Sequence, residues 1–387
     1  MAPASPVPDR PVRIAGAGPA GLAAAVTLAR AGLRAQVHEA RKGVGARFIG
    51  DLQLIENHSE AEQLPDLLRR IGIETDFYFR PATRATLRDA RGRETAVRSR
   101  DPYGYFVRRG PVETSLDRGL LRQALRLGVD VKFQSRLDPS QADIVATGPA
   151  TPDGLAKEMT FETDAAEVVD VCFDQRRSPG GYSYLFALDG TATFGCAIVS
   201  DFGNIDAYFE RSLAAARDIH PIDMGRGARV GYSYMSFHLK DSAQLGGARY
   251  AGEAGGFQDY LFGLGMRYAL VTGHLAARSI VEGRDYDELW KAAFPRKAET
   301  SLANRFLYES AGNAGLGMFV RLAALVPDFR SYLLWWQRPT WWRSAIASLA
   351  LRAWGNSAQC AHQPGPHWCR SRESQVAVPR LGPVESM

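Results

Sequence analysis

Apolar positions in the first forty residues fall into three short blocks. Val12 to Gly16 is an apolar run interrupted only by Arg13, which suits a short buried strand. Residues 19–31 carry Ala and Leu at helical spacing, and 34–39 return to a strand pattern ending on Glu39. These blocks predict a β-α-β start. Residues 51–75 are polar, with Leu67, Leu68 and Ile71 on one side, which predicts a helix. Alternation at 94–98 and 103–107 predicts strands, 115–127 an amphipathic helix, and 129–133 and 143–147 two more short strands. From about 155 to 240, alternating runs with Gly and Asp turns, such as 182–188 and 191–199, predict antiparallel sheet. A helix at 206–217 lies inside that region, and helical patterns resume at 264–281. Pro327 and Pro339 divide 319–354 into short helices. From Gly355 onward there is no periodicity, and 355–387 reads as a disordered tail.

Composition narrows the class. The chain has 387 residues, with 45% hydrophobic and 23% charged, a mixture that excludes global disorder. A net charge of +5 is too small for a nucleic-acid binder. Four cysteines, at 172, 196, 360 and 369, make no disulfide framework in a chain this long, so a reducing, cytoplasmic setting is expected. Residues 1–10 lack an apolar core, so no signal peptide is expected, and no stretch reaches the ~18 apolar residues of a spanning helix. Cys360, His362, His367 and Cys369 do not have zinc spacing, so no metal site is expected.

The chemistry begins at Gly16-Ala17-Gly18-Pro19-Ala20-Gly21, a G-x-G-x-x-G turn between a strand and a helix. Such a turn brings backbone N–H groups and a positive helix end against a pyrophosphate. Glu39, with Ala40 beside it, ends the second strand where a carboxylate can hold ribose hydroxyls. The strand ending at Thr147-Gly148 can run under the same nucleotide. Downstream, Gly252-Glu253 and Gly263-Leu264-Gly265 form a second glycine-rich pair of turns before a helix. One long cofactor, FAD, accommodates both: Glu253 reaches a ribityl hydroxyl and the second helix end faces the flavin pyrimidine.

In this order the segments resemble flavoproteins of the glutathione-reductase type. More narrowly, they are similar to the geranylgeranyl reductase family, itself related to aromatic hydroxylases such as p-hydroxybenzoate hydroxylase. Gly252 through Gly265 resembles the family's C-terminal flavin motif, and Glu113 through Leu120 its middle motif, with Leu116-Asp117 in the Phe-Asp place. Glu113 stands where the family has Arg, and Arg109 just upstream is the candidate substitute. Tyr182, Tyr184, Phe186 and Gly195 resemble its substrate-side aromatic motif. The resemblance spans about residues 12–310. It implies an α/β fold: a Rossmann-type FAD-binding domain from 1–154 and 241–300, an inserted antiparallel-sheet substrate domain at 155–240 and a C-terminal helical segment at 301–354.

It also implies function. The expected activity is FAD-dependent reduction of C=C bonds in an isoprenoid or lipid-like substrate, with NADPH or ferredoxin as electron donor. A flavin monooxygenase and a non-catalytic flavin- or lipid-binding protein are the alternatives. Arg47, after two glycines, is expected to fold over the cofactor. Tyr182, Tyr184 and Phe186 share one strand face and are expected to line the substrate pocket. Phe257 to Tyr260 are expected to face the flavin, with Tyr260 a candidate proton donor. Residues 319–354 hold five of the seven tryptophans, with Arg321, Arg330, Arg338, Arg343 and Arg352 and only Asp328 among acids. Such aromatic-basic helices suit contact with a membrane surface.

Overall fold

The computed structural model describes residues 10–149, 152–355 and 367–370. Its first sheet has the order β16-β17-β9-β1-β2-β8. The strands are β1 (Val12–Ala15), β2 (Ala35–His38), β8 (Asp130–Lys132), β9 (Ile144–Val145), β16 (Gln244–Leu245) and β17 (Ala248–Tyr250). All neighbours pair in parallel except the β16–β17 hairpin. Thus a strand from after residue 240 completes a sheet begun at residue 12. Helix α1 (Pro19–Arg30) is buried from Ala20 to Leu28, because it lies between this sheet and α5 (Met266–Glu282). Small residues make that possible: a side chain at Gly273 of α5 would strike the Ala20 carbonyl.

A second sheet has the order β14-β10-β13-β12-β11-β5-β6. Its strands are β5 (Arg84–Asp89), β6 (Glu94–Arg98), β10 (Gly154–Glu162), β11 (Val168–Phe173), β12 (Tyr182–Leu188), β13 (Thr191–Ile198) and β14 (Arg229–Met235). All pairs are antiparallel except β11–β5. The sheet therefore recruits 84–98 from the first segment, and limits of 155 and 240 do not enclose it. Helix α4 (Ile205–Ile219) packs on its outer face through Phe209 and Leu213.

The polar stretch 51–75 departs from its helical reading. Leu52–Glu56 is β3, which pairs with β7 (Gly104–Arg108), and β7 also pairs with β4 (Arg80–Ala82). Only Leu64–Arg70 is helical, as α2. Leu52 and Ile55 are fully buried, and cross-strand pairing overrides the local pattern. Helix α3 (Leu116–Arg126) starts where expected, because the Ser115 side chain accepts from the Arg118 N–H.

The C-terminal helices are α6 (Tyr286–Ala293), α7 (Lys297–Leu325), α8 (Phe329–Gln337) and α9 (Trp341–Ala353). Helix α7 bends at Gly312, whose backbone is non-helical. Asp328 and Thr340 cap α8 and α9 through their side chains, each directly after a proline. α7 and α8 close over the inner face of the second sheet, where Tyr184, Phe186, Phe329 and Leu333 share one apolar cluster. The tail reading is corrected in part: His367–Cys369 is β18, paired with β15 (His238–Lys240). Cys360 and His362 lie outside the described residues.

Candidate functional site

A cavity of about 480 Å³ runs from the first glycine turn to the helical lid. At the turn end it is walled by Gly16, Gly18, Pro19, Ala20 and Glu39, with Thr147 and Gly148 below. Gly16 has φ +101°, and a Cβ there would meet the Ala146 carbonyl oxygen at 2.4 Å, so neither another conformation nor a side chain fits. Gly18 differs: nothing lies within 4 Å of a Cβ built on it, which leaves an open cradle above the backbone. No side chain caps α1, whose N-cap is Gly18, so its first N–H groups face that cradle. Glu39 accepts from the Ala17 and Arg41 N–H groups, both at 2.9 Å, which fixes the carboxylate at the rim.

The second glycine pair borders the same space. Gly252, Glu253, Gly263, Leu264 and Gly265 line it, and Gly265 begins α5 without a side-chain cap. Two helix N-termini thus converge on one cavity, an arrangement that favours negative charge. Arg47 lies 3.5 Å from the Glu253 carboxylate and over the Phe48 ring. Burial raises the Glu253 pKa, and Arg47 and Arg109 pull it back. The buried Arg109 forms a two-pronged pair with Asp117, at 2.9 and 3.0 Å, and stacks 4.1 Å from the centre of Phe48. Asp117 also accepts from the Gly110 N–H at 2.9 Å, so this pair holds the loop at Gly110.

The far end is aromatic. Tyr182, Tyr184 and Phe186 line it with Phe106 and Phe262, and Phe319, Phe329 and Leu333 of α7 and α8 cover it. Tyr184 and Phe186 stack at 4.7 Å, and the Tyr182 hydroxyl donates to the Phe262 carbonyl at 2.7 Å, tying the sheet to the second glycine turn. Among these rings sits a carboxyl the sequence reading missed. Glu158 of β10 is buried, lines the cavity and accepts from the Tyr184 hydroxyl at 2.6 Å. Burial, together with the charge of the nearby Asp51, pushes its pKa up to about 8. Asp51 is itself fully buried, with its pKa also raised by burial. An acid within an apolar strand pattern looks like a surface position, so only pairing with its neighbours identifies it.

Five expected site residues lie off this cavity: Gly21, Ala40, Phe257, Asp259 and Tyr260. Gly21 packs beneath the Gly16 carbonyl, which a side chain would strike, so it serves the strand–helix contact. Ala40 is outside the lining. Tyr260 is buried on the other side of its turn and donates to the His238 carbonyl at 2.9 Å, facing a separate 50 Å³ pocket that Phe257 also lines. Of residues 257–260 only Gln258 reaches the main cavity, because Asp259 turns inward to bond Ser301 and the Phe262 N–H. Tyr260 is thereby removed as a proton donor. Among the described residues no group of three His, Cys, Asp or Glu is placed to hold a metal.

The sequence matches no family model and no curated protein. Similar solved structures exist. A geranylgeranyl bacteriochlorophyll reductase-like protein from Thermoplasma acidophilum superposes with TM-score 0.66 at 16% identity, over 89% of this chain and 98% of that one. A flavin-dependent brominase gives 0.60 at 16% identity, over 88% and 98%. A 2-methyl-3-hydroxypyridine-5-carboxylic acid oxygenase mutant gives 0.52 at 15% identity, over 84% and 96%. The chain has the Rossmann-type fold of these FAD-dependent flavoproteins, with its antiparallel sheet and C-terminal helices.

Proposed function

We propose that this chain is an FAD-dependent oxidoreductase that reduces C=C bonds of an isoprenoid or lipid-like substrate. One observation carries the reading: a single cavity joins two uncapped helix ends and an open glycine cradle to an aromatic chamber. The polar end suits a dinucleotide, with Gly16 to Ala20 and the α1 terminus toward the pyrophosphate and Glu39 toward a ribose. Arg47, Glu253 and the Gly263–Gly265 turn would hold the ribityl and pyrimidine parts. When bound and reduced, FAD supplies the hydride that C=C reduction requires. The aromatic chamber offers an apolar chain a large surface to cover. The reductase-like neighbour supports the same reading.

The test is anaerobic. Purified protein is loaded with FAD, reduced with dithionite and mixed with geranylgeraniol. Oxidation of the flavin with a product two hydrogens heavier is the expected result. NADPH and reduced ferredoxin, offered in place of dithionite, then identify the donor. The oxygenase and brominase neighbours favour a second reading, a monooxygenase. Substrate-stimulated oxygen uptake without chain reduction would establish that one instead.

The surface of the lid extends the proposal to a membrane interface. Met318, Leu322 and Leu325 follow one another at helical spacing on α7, and all are exposed, as are Trp335 and Trp341. Arg321, Arg338 and Arg352 lie in the same segment and are exposed. Arg330 and Arg343 do not join them. Arg330 is buried, bonding the carbonyls of Asn57, Glu60 and Ala61, and Arg343 is buried among the rings of Trp335, Trp336 and Trp342. Among the described residues no helix is long and apolar enough to cross a membrane. Met318, Leu322, Leu325 and Trp335 lie on α7 and α8, the helices that cover the chamber, so a membrane held there would bring a lipid substrate beside it.

A further inference from the structure

If the cavity reduces C=C bonds as proposed above, one carbon receives hydride and the other needs a proton. We propose that Glu158 is the proton donor of this site, held at the cavity wall by Tyr184.

The geometry comes from sheet register. Alternation along β10 turns Ala156 and Glu158 toward the cavity, while Leu155 and Met159 face the core beneath α4. Across the sheet Glu158 pairs with Gly231 on one side and Gly195 on the other, and Gly195 pairs in turn with Tyr184. A Cβ at Gly195 would lie 2.2 Å from the Tyr184 ring, so the ring occupies the space that this glycine leaves. It is this vacancy that lets the Tyr184 hydroxyl cross a whole strand to Glu158. A large aromatic laid over a glycine toward a buried acid is a costly arrangement for a core that apolar residues would fill.

The surroundings favour the acid form. Asp51, before β3, adds a second buried carboxyl whose charge opposes ionisation of Glu158, while Tyr184, Ser233 and Arg47 favour the carboxylate. Burial and Asp51 prevail, which shifts the group toward its acid form. Arg47 also pairs with Glu253, which places the acid near the cofactor end of the chamber rather than at its lid. In the step itself, the Glu158 O–H bond and the alkene π bond break. One C–H bond forms with the proton and the other with hydride from reduced flavin. The carboxylate left behind takes a proton back from water.

Two measurements decide the matter. The first needs no cofactor: infrared titration of the apoprotein for wild type, Glu158→Gln and Tyr184→Phe. A protonated carboxyl band that persists through neutral pH and titrates near pH 8 is expected, absent in Glu158→Gln. Tyr184→Phe should move its midpoint upward, since the hydroxyl favours the carboxylate. The second follows oxidation of dithionite-reduced holoenzyme by geranylgeraniol. Glu158→Gln should slow it by ~10²-fold or more and remove its decline at high pH, while FAD affinity and dithionite reduction stay within about twofold. Tyr184→Phe, which keeps the acid, should shift that decline to higher pH, and this serves even if Glu158→Gln folds poorly. A carboxyl that ionises below pH 6, or a Glu158→Gln variant oxidised at the wild-type rate, overturns the proposal. A wild-type enzyme that leaves geranylgeraniol untouched instead overturns the C=C reading on which it rests.

Discussion

At one end of the cavity the ligand-facing groups are mostly backbone: the glycine turn, two helix ends and the strand under Thr147. At the other they are mostly side chains: Tyr184, Phe186, Phe262 and the buried Glu158. The two ends obey different rules. Backbone donors are set by chain path, so substitutions matter there chiefly when they fill the cradle or break the path. Side-chain walls are set by packing and proton affinity, so small chemical changes matter there even when shape is kept.

Between the ends stands the Arg109–Asp117 pair, and breaking it should have the largest effect. Arg109→Met leaves Asp117 buried without its partner, which costs about 3–5 kcal/mol. Urea unfolding measures this, and an unchanged midpoint would make the pair a mere neighbour of the site. Gly18→Leu comes next. The space above Gly18 is empty, so the fold and its circular dichroism should survive while FAD affinity falls by ~100-fold, or about 2.7 kcal/mol. Retained affinity would place the dinucleotide elsewhere.

At the side-chain end the expected effect is a pH dependence. Glu158 ionises near 8 when folded, against 4.5 for an unburied glutamate. Between those values the folded protein holds a proton that the unfolded chain has released. Stability is therefore fully present below 4.5 and is lost as pH rises toward 8. Melting temperature should fall by roughly 5 °C across that range, and Glu158→Gln should flatten the fall. The smallest effect belongs to the outer surface. Trp341→Ser, at a residue 81% exposed, should change stability by less than about 0.5 kcal/mol. Combined with Leu325→Glu, it should abolish co-sedimentation with anionic liposomes; undiminished binding would remove the lid from the membrane interface. Point changes are the proper probe, because truncating α7 and α8 would also strip Phe319, Phe329 and Leu333 from the chamber.

Much of the glycine-turn end is legible in the residues themselves. Gly16, Gly18, Glu39 and the turns at 252 and 263 can be read because each answers a local backbone need, and local needs leave local marks. The strand at 52–56 is not legible. Its polar stretch looks helical, and only its partner at 104–108 makes it sheet. Tyr260 illustrates the same limit. Its place between two glycine turns suggests the flavin face, yet Asp259 turns inward and carries it behind the wall.

What sequence alone determined, then, is the alternation of strand and helix and the positions of the bends, since steric freedom and hydrophobic period act over a few residues. Tertiary structure decided which acid meets which ring. Glu158 and Tyr184 are 26 residues apart, and only the register of three strands with a glycine between them brings oxygen to hydroxyl. Proton affinity follows from that burial, because desolvation is a property of the assembled surroundings and not of the residue.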